Sequence, residues 1–421
     1  MPEMTWATFP LGEVITLQRG FDITKADQRD GPFWVISSSG PKSTHERYMV
    51  NGPGVVIGRK GTLGSVYFSE AAFWPHDTTL WVRDFHGNDP KFTYFFLQTM
   101  RFERYDAGAS NPTLNRNHAH AIPVRWPKSV HEQRRIASIL SAYDDLIENC
   151  QRRIRLLEDM ARGLYREWFV HFRFPGAEAL PRVDSPLGPI PQGWPVRQLE
   201  ELMLAHIGGG WGKDSPEDNQ TEPAWVIRGT DIPSARASQV NGVPYRFHSK
   251  SNLRSRRLAD GDIIFEVSGG SKGQPVGRTL IVTQALRRAL GNHDVICASF
   301  CKRVQPDINQ YGAELLYLSL QEGYESGEIE QYQVQSTGIS NFKWMDYIQQ
   351  TLRVVPTADL RVRFRDQVSP LLAQIGTLGL KITNLRRTRD LLLPRLLSGQ
   401  IDVGVAESMA GAEATEPAAA A

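Results

Sequence analysis

The residues of this chain that are best suited to chemistry lie in a short glycine-rich segment that carries positive charge. It contains Gly58, Arg59, Lys60, Gly61 and Gly64. Glycine lets a backbone approach another molecule closely. Arginine and lysine provide charge and hydrogen-bond donors for phosphate oxygens and base edges. The segment therefore predicts contact with nucleic acid, although an ordinary hairpin loop would use similar glycines.

A related segment in the second half of the chain contains Lys272, Gly273 and Gln274, with one residue inserted before its last glycine. A Gly-x-Ser-Asn element also occurs twice, at residues 108–111 and 338–341. Its hydroxyl and amide groups suit base edges or phosphate oxygens, and a helix-capping turn is the alternative. Beyond the first glycine segment, the predicted DNA-contacting residues are Ser110, Asn111, Lys272, Gly273, Gln274, Thr337, Gly338, Ser340, Asn341 and Lys343.

Familiar catalytic and nucleotide-binding motifs do not match this sequence. Residues 208–214 are rich in glycine but lack the spacing of a P-loop. The glycines at 58, 61 and 64 do not have the spacing of a dinucleotide fingerprint. Asn111-Pro112-Thr113 lacks the aromatic residue of an amino-methyltransferase motif. We therefore expect no catalytic residues and no bound cofactor in this chain.

His293, Cys297 and Cys301 are residue types that bind zinc. They fall in a β-rich run, where a step of four residues separates side chains by roughly 13 Å at ~3.3 Å per residue. Zinc ligands lie only about 2.1 to 2.3 Å from their ion. The spacing argues against a metal site, and the scattered acidic residues indicate no nuclease centre.

The chain carries its elements twice. Trp6, Leu11 and Glu13 recur 188 positions later as Trp194, Leu199 and Glu201. Because later matches keep the same order, we predict two similar modules with insertions in the loops of one copy. These matches join Trp34 to Trp225, Lys60-Gly61 to Lys272-Gly273, His76-Asp77 to His293-Asp294, and the two Gly-x-Ser-Asn elements. We expect both tryptophans in the cores and both His-Asp pairs at strand starts.

Each module combines short β-rich runs with a helix. After the prolines at 127 and 356, apolar residues recur three and four positions apart, which predicts a long amphipathic helix in each copy. Such helices need an apolar partner, and a coiled coil of the two is the economical arrangement. Residues 174–195 contain six prolines and predict an extended, semi-rigid crossover.

Composition limits the remaining possibilities. The 421 residues leave room for two domains. The net charge is only +2, but basic residues cluster at 250–257 and 386–389. These clusters could face phosphates, or they could be ordinary solvated helix faces. Three cysteines fit a reducing cytoplasm. Neither an export signal nor an apolar run of the ~20 residues that span a membrane is evident.

Several segments resemble the specificity subunit of a type I restriction-modification system. They are the loop at 58–64, the segment at 335–341, the helix ends at 164–169 and 391–399, and the crossover at 188–194. The similarity extends over nearly the whole chain. It implies an α+β fold with two mixed target recognition domains in pseudo-repeat, separated by two long helices that form an antiparallel coiled coil.

The resemblance also implies a function. Each recognition domain would read one half of a bipartite, asymmetric site in double-stranded DNA, and the helices would dock two modification (methyltransferase) subunits. Restriction subunits, which supply an ATP-dependent motor and a nuclease, would join that core. The methyl donor and ATP would belong to these partners. The residues predicted to bind partners are Leu157, Leu164, Trp168, Leu385, Leu392 and Leu396.

The resemblance also divides the chain. The expected segments are residues 1–128 and 194–357 for the recognition domains, 129–172 and 358–400 for the spacer helices, 173–193 for the linker and 401–421 for a disordered tail. Two other functions stay open. One is a scaffold that binds only protein through its coiled coil. The other is a fused restriction-methylation enzyme, which would need a donor pocket and a motif that the sequence lacks.

Overall fold

The structure is a computed structural model that describes residues 6–105, 113–269, 275–336, 339–401 and 403. Nearly all of the predicted disordered tail lies outside these residues. The chain divides into two compact units, the first made of Met1–Ile147 with Leu385–Ala421 and the second of Glu148–Asn384. Within the described part of the chain, no helix is both long and apolar enough to cross a membrane.

In its described residues, the first unit contains nine strands in three groups. Its strands are β1 (Trp6–Pro10), β2 (Thr16–Arg19), β3 (Phe33–Ser37), β4 (Gly40–His45), β5 (Gly54–Gly58), β6 (Val66–Ser69), β7 (Phe73–Pro75), β8 (Thr79–Asp84) and β9 (Pro123–Pro127). One sheet has the order β2-β8-β5-β6, a second has the order β4-β3-β7, and β1 pairs with β9. Strand β5 is buried along its whole length and forms the centre of the unit.

Short helices complete the first unit. They are α1 (Leu11–Val14), α2 (Pro90–Thr99), α3 (Arg116–His120) and a 3-10 turn at Phe102–Tyr105. Asp89 caps α2, since its carboxylate accepts the Phe92 amide at 2.9 Å, and Pro90 occupies the first helical position. Phe92 and Phe96 of this helix pack on Trp126, with ring centroids 5.1 and 4.7 Å apart.

The second unit repeats this plan with additional elements. Its strands are β10 (Arg182–Val183), β11 (Ile190–Pro191), β12 (Val196–Gln198), β13 (Met203–Gly208), β14 (Gln220–Ile227), β15 (Tyr245–Ser249), β16 (Ile263–Glu266), β17 (Ser268–Gly269), β18 (Thr279–Ile281), β19 (Val295–Cys297), β20 (Cys301–Pro306), β21 (Gln333–Ser336), β22 (Ile339–Phe342) and β23 (Leu352–Val354). Sheet β13-β20-β16-β18 matches β2-β8-β5-β6, and sheet β15-β14-β19 matches β4-β3-β7. The pair β12-β23 matches β1-β9. The pseudo-repeat predicted from the sequence is confirmed.

Ten α-helices lie in the described residues. Those not yet named are α4 (Val130–Tyr165), α5 (Ile232–Ala235), α6 (Lys250–Arg256), α7 (Gln284–Ala289), α8 (Ala313–Glu325), α9 (Trp344–Gln350) and α10 (Ala358–Leu397). 3-10 turns of the second unit lie at Ala177–Ala179, Leu199–Leu202, Gly229–Asp231 and Glu328–Tyr332.

Both long helices contribute to both units, which divide α4 after Ile147 and α10 after Asn384. In the first unit, Asp144 near the middle of α4 pairs with Arg389 near the end of α10, at 2.6 Å. In the second unit, Phe169, just after α4, packs on Phe364 near the start of α10, with ring centroids 4.8 Å apart. The helices are therefore antiparallel, as predicted.

The chain leaves α4 earlier than the predicted boundary at residue 172. A π-helical turn, Arg166–Val170, follows Tyr165 and directs aromatic side chains into the core of the second unit. The proline-rich crossover is also less extended than predicted, because β10 pairs with β11 across a turn at Gly188, whose φ is +85°. Trp194 at its end is buried and stacks on Phe174 with centroids 5.1 Å apart.

Two expectations about the repeat are wrong. Trp34 is 51% exposed rather than in the core, because β3 buries Val35 and Ile36 instead. The His-Asp pairs are not equivalent either. The parallel pairing of β3 with β7, and of β14 with β19, aligns Pro75 with Cys297. His76 therefore follows its strand, whereas His293 precedes the equivalent strand.

The buried contact between α10 and the end of α4 gives a stability prediction. Phe364 is 1% exposed and contacts both Trp168 and Phe169. Phe364→Ala leaves a cavity and should lower the free energy of unfolding by about 3–5 kcal/mol, measured by urea denaturation. Val362→Ala, on the same helix but 45% exposed, is the control and should change it by less than about 0.5 kcal/mol. Equal losses in both variants would contradict the packing.

Candidate nucleic-acid interface

The glycine segment of the first unit forms a closed loop between β5 and β6. The Gly58 amide donates to the Ser65 carbonyl at 2.7 Å, and the Gly64 amide donates to the Gly58 carbonyl at 3.1 Å. Gly61 and Gly64 have backbone φ angles of +78° and +75°, which residues other than glycine rarely adopt. A Cβ at Gly58 would lie 2.1 Å from the Thr62 carbonyl oxygen. All three glycines are therefore required by the loop conformation.

Backbone hydrogen bonds fix this loop to its neighbours. The amides of Arg59 and Lys60 both donate to the Thr78 carbonyl, at 2.9 and 3.0 Å. The Leu114 amide donates to the Arg59 carbonyl at 2.9 Å, and Thr113 bridges to Lys60. The loop thus adjoins the segment that follows the first Gly-x-Ser-Asn element. Ser110 and Asn111 themselves lie outside the described residues.

Arginines gather around the loop in a surface groove. Arg19 at the end of β2 and Arg116 at the start of α3 line the groove together with Arg59. Arg19 pairs with Asp22 and Asp77, at 3.0 and 3.1 Å. One terminal nitrogen of Arg59, Nη1, is buried without a hydrogen-bond partner.

The sequence did not indicate Arg19 and Arg116 as site residues. Each belongs to a different element and stands tens of positions from the glycine segment. Asn115 and Asn117 also line the groove. Asn115 caps α3 by accepting the Asn117 amide at 2.8 Å, so its side chain has a structural task as well.

The second unit builds the same arrangement with other side chains. The amides of Val267 and Ser268 donate to the Phe300 carbonyl, at 2.9 and 3.2 Å, and the Phe342 amide donates to the Val267 carbonyl at 2.9 Å. These bonds match those of Arg59, Lys60 and Leu114 in the first unit. Lys272, Gly273, Gln274, Thr337 and Gly338 lie outside the described residues.

This hydrogen-bond register changes the alignment of the two copies. Lys60 corresponds to Ser268, not to Lys272, and Thr113 corresponds to Asn341. The Ser268 hydroxyl donates to the Asn341 side-chain oxygen at 2.8 Å, which leaves the exposed amide group of Asn341 free to donate outward. Ser340 pairs with Gly269 on the same edge. Lys343 directly precedes α9 in the second unit, just as Asn115 directly precedes α3 in the first.

In the second unit, the position of the first loop glycine is taken by a glutamate that forms a buried ion pair. Glu266 corresponds to Gly58 and is 2% exposed. Arg278 donates to both of its oxygens, at 2.8 and 2.6 Å. This hydrogen bonding raises the pKa of the Arg278 guanidinium. Arg278 is therefore held by Glu266 and is not available to bind a phosphate.

His293, Cys297 and Cys301 do not form a metal-binding cluster among the described residues. Cys297 ends β19 and Cys301 begins β20 after a turn, and both thiols are buried. Burial raises the pKa of Cys297 to about 12, so the thiol stays protonated. No group of three possible metal ligands occurs among the residues that the structure describes.

Comparisons with known proteins agree with this geometry. A family model for the type I restriction modification DNA specificity domain matches residues 3–159. The type I restriction enzyme MjaIX specificity subunit of Methanocaldococcus jannaschii is 26% identical over 324 residues, which are 74% of this chain and 69% of that protein. Residues 3–159 carry the type I specificity domain, and the chain as a whole is similar to a type I restriction enzyme specificity subunit. Subunits of this kind recognise the DNA target and are not catalytic.

Solved structures support the fold assignment. The S subunit of the type I system of M. genitalium superposes with a TM-score of 0.60 at 14% identity, covering 94% of this chain and 97% of the other. A chain from a study of complex assembly and conformational transition in the type I R-M system gives a TM-score of 0.41 at 15% identity, covering 94% and 98%. The first supports a fold with two β-rich modules and two long antiparallel helices.

The structure buries most of the helix residues predicted to bind partners. Trp168, Leu385, Leu392 and Leu396 are each less than 9% exposed, whereas Leu157 and Leu164 are half-buried. Other apolar side chains on the helices of this specificity subunit face solvent, namely Leu156, Met160 and Leu391.

The loop geometry predicts that Lys60 contributes charge rather than base preference. Lys60→Ala should weaken binding to all DNA sequences alike and flatten the dependence of log K on log salt by about one unit. Fluorescence anisotropy with duplex DNA at several salt concentrations measures this slope in the complex with modification subunits. Lys128→Ala removes an exposed lysine that does not line the groove, and should leave the slope unchanged.

Proposed function

We propose that this specificity subunit reads a bipartite, asymmetric DNA site, with one module for each half. The observation that carries this proposal is that an equivalent position of the two units holds different side chains on the same backbone. Thr113 of the first unit corresponds to Asn341 of the second. Side chains with different donors and acceptors favour different base edges. The proposal therefore extends DNA recognition to two distinct half-sites.

The two long helices would dock two modification subunits, and restriction subunits would join through that core. Exposed apolar side chains support this part, because Leu156 and Met160 are 56% and 58% exposed one turn apart on α4. Large apolar side chains in water favour a protein contact. The methyl donor and ATP would be bound by the partners. The complex would work in the cytoplasm, where the host DNA lies.

A binding experiment separates this function from its alternatives. The subunit, assembled with its modification subunits, is mixed with random duplexes at low and high salt, and retained DNA is sequenced. A bipartite motif that survives high salt supports the proposal, since specific binding depends less on phosphate contacts alone. Retention without a motif would support a protein scaffold with incidental charge. Methyl transfer by the purified subunit without partners would support a fused enzyme.

The Asn341 side chain should affect one half-site only. Asn341→Ala removes the exposed amide group beside the loop of the second unit, so preference within one half-site should relax while the other half-site is unchanged. Sequencing of methylated sites in a host with the variant complex measures both halves. Asn384→Ala, an exposed change on α10 away from the loop, is the control. Equal relaxation in both halves would contradict one module per half.

The helices should set the length of the unread spacer. We expect that four residues added after Ile147 and four after Asn384, about one turn in each helix, lengthen both helices by roughly 6 Å. At ~3.4 Å per base pair, the methylated sites should then have about two more base pairs between unchanged half-sites. Adding the turn within the crossover instead is the control and should leave the spacer alone. An active complex with the original spacer would refute this role.

A further inference from the structure

A second groove in the first unit lies outside the arginine-lined site. It is an open depression of about 870 Å³, within the range of about 300–1,000 Å³ that is usual for ligand sites. Trp34 of β3 forms part of its floor, and Lys25 and Lys42 stand on its walls. The walls also offer the hydroxyls of Ser37 and Thr44.

Trp34 is unusual in this surface. Its side chain is 51% exposed, its ring packs on no other aromatic ring among the described residues, and its indole N–H has no acceptor there. Burial of a large apolar side chain stabilises a fold, and the exposed ring forgoes part of that stabilisation. An aromatic face in a concave polar site is suited to a flat or apolar ligand group.

The charge of the groove favours an anionic occupant. Lys25 and Lys42 are both exposed, and neither forms an ion pair within the described residues. Asp30 is the acidic residue on the lining. Nucleic acid suits this lining, because its phosphates can pair with the two free lysines and a flat base can contact the half-exposed indole.

The groove lies close to the glycine loop. His76 lines it, and the His76 ring lies 3.0 Å from the Thr78 hydroxyl. The carbonyl of the same Thr78 accepts the amides of Arg59 and Lys60. A duplex that contacts the loop would therefore have the groove next to it.

The second unit has no equivalent exposed indole. Its counterpart, Trp225, donates its indole N–H to the Leu290 carbonyl at 3.0 Å and packs on Tyr245 with ring centroids 4.8 Å apart. Leu290 directly follows α7, a helix without a match in the first unit. The groove thus distinguishes the first module from the second.

We propose that the groove is part of the DNA-reading surface of the first module, in which Trp34 contacts a base and determines preference at its position. Lys25 and Lys42 bind the flanking phosphates. The inference rests on the proposed function and adds a specificity-determining residue to it. A protein partner is the rival occupant, and the experiment below distinguishes the two.

The test uses the complex with modification subunits and a duplex that carries the site methylated in the wild-type host. Affinity is measured by anisotropy for this duplex and for duplexes changed at single positions in each half. Trp34→Ala should raise the Kd for the cognate duplex at least about tenfold and flatten discrimination at positions of one half-site only. Trp34→Phe should keep part of the effect. Met49→Ala, also an exposed apolar change but outside the groove, should keep wild-type behaviour.

Unchanged affinity and discrimination in a folded Trp34→Ala complex would overturn the inference while leaving the proposed function intact. Loss of modification subunits from the complex, with DNA preference retained by what remains assembled, would overturn it in favour of a protein partner. A wild-type complex without sequence preference would instead refute the proposed function. Should Trp34→Ala fail to fold, the double variant Lys25→Ala, Lys42→Ala serves, with an expected salt slope flatter by about two units. An unchanged slope would also refute the proposal.

Discussion

A single carbonyl oxygen in each module, that of Thr78 or of Phe300, accepts two successive backbone amides from the loop that follows the central strand. A third backbone bond joins that loop to Leu114 or Phe342. Because these bonds involve only main-chain atoms, they place the loop without specifying its side chains. The same scaffold can therefore present Lys60 in one module and Ser268 in the other. The proposed reading of two different half-sites depends on this separation of backbone placement from side-chain choice.

The same separation explains how far the sequence could predict the structure. Residues that fill the core keep their type, so Leu11 and Leu199, each 0% exposed, revealed the repeat. The long helices were visible for the same reason, through apolar spacing. Loop residues are held by main-chain hydrogen bonds, so their side chains can change type between the two copies. The sequence match of Lys60 to Lys272 was therefore four positions away from Ser268, the residue that corresponds to Lys60 in the structure. Residues of the candidate site such as Arg19 come together only through strand pairing, which the sequence did not specify.

Close packing of the second long helix also escaped the sequence analysis. Gly376 and Gly379 lie within α10, where glycine costs about 1 kcal/mol relative to alanine. A Cβ at Gly379 would lie 1.5 Å from the Ala237 carbonyl oxygen, and one at Gly376 would lie 2.5 Å from the Ala285 side chain. The helix backbone thus approaches the segments after α5 and within α7 directly. These glycines hold the second module close to its helix, where any larger side chain would force a shift.

Ion pairs within the modules limit which cations can reach DNA. Arg278 is held by Glu266, Arg303 by Asp262 and Arg353 by Glu328, each with an oxygen 2.6 to 2.8 Å away. Arg256, from the basic cluster at 250–257, donates to the Gly208 carbonyl at 2.9 Å. Basic clusters in the sequence therefore overstate the charge available to phosphates. Cations held in this way add less to non-specific attraction to the duplex, so contacts to base edges supply more of the binding energy, as sequence recognition requires.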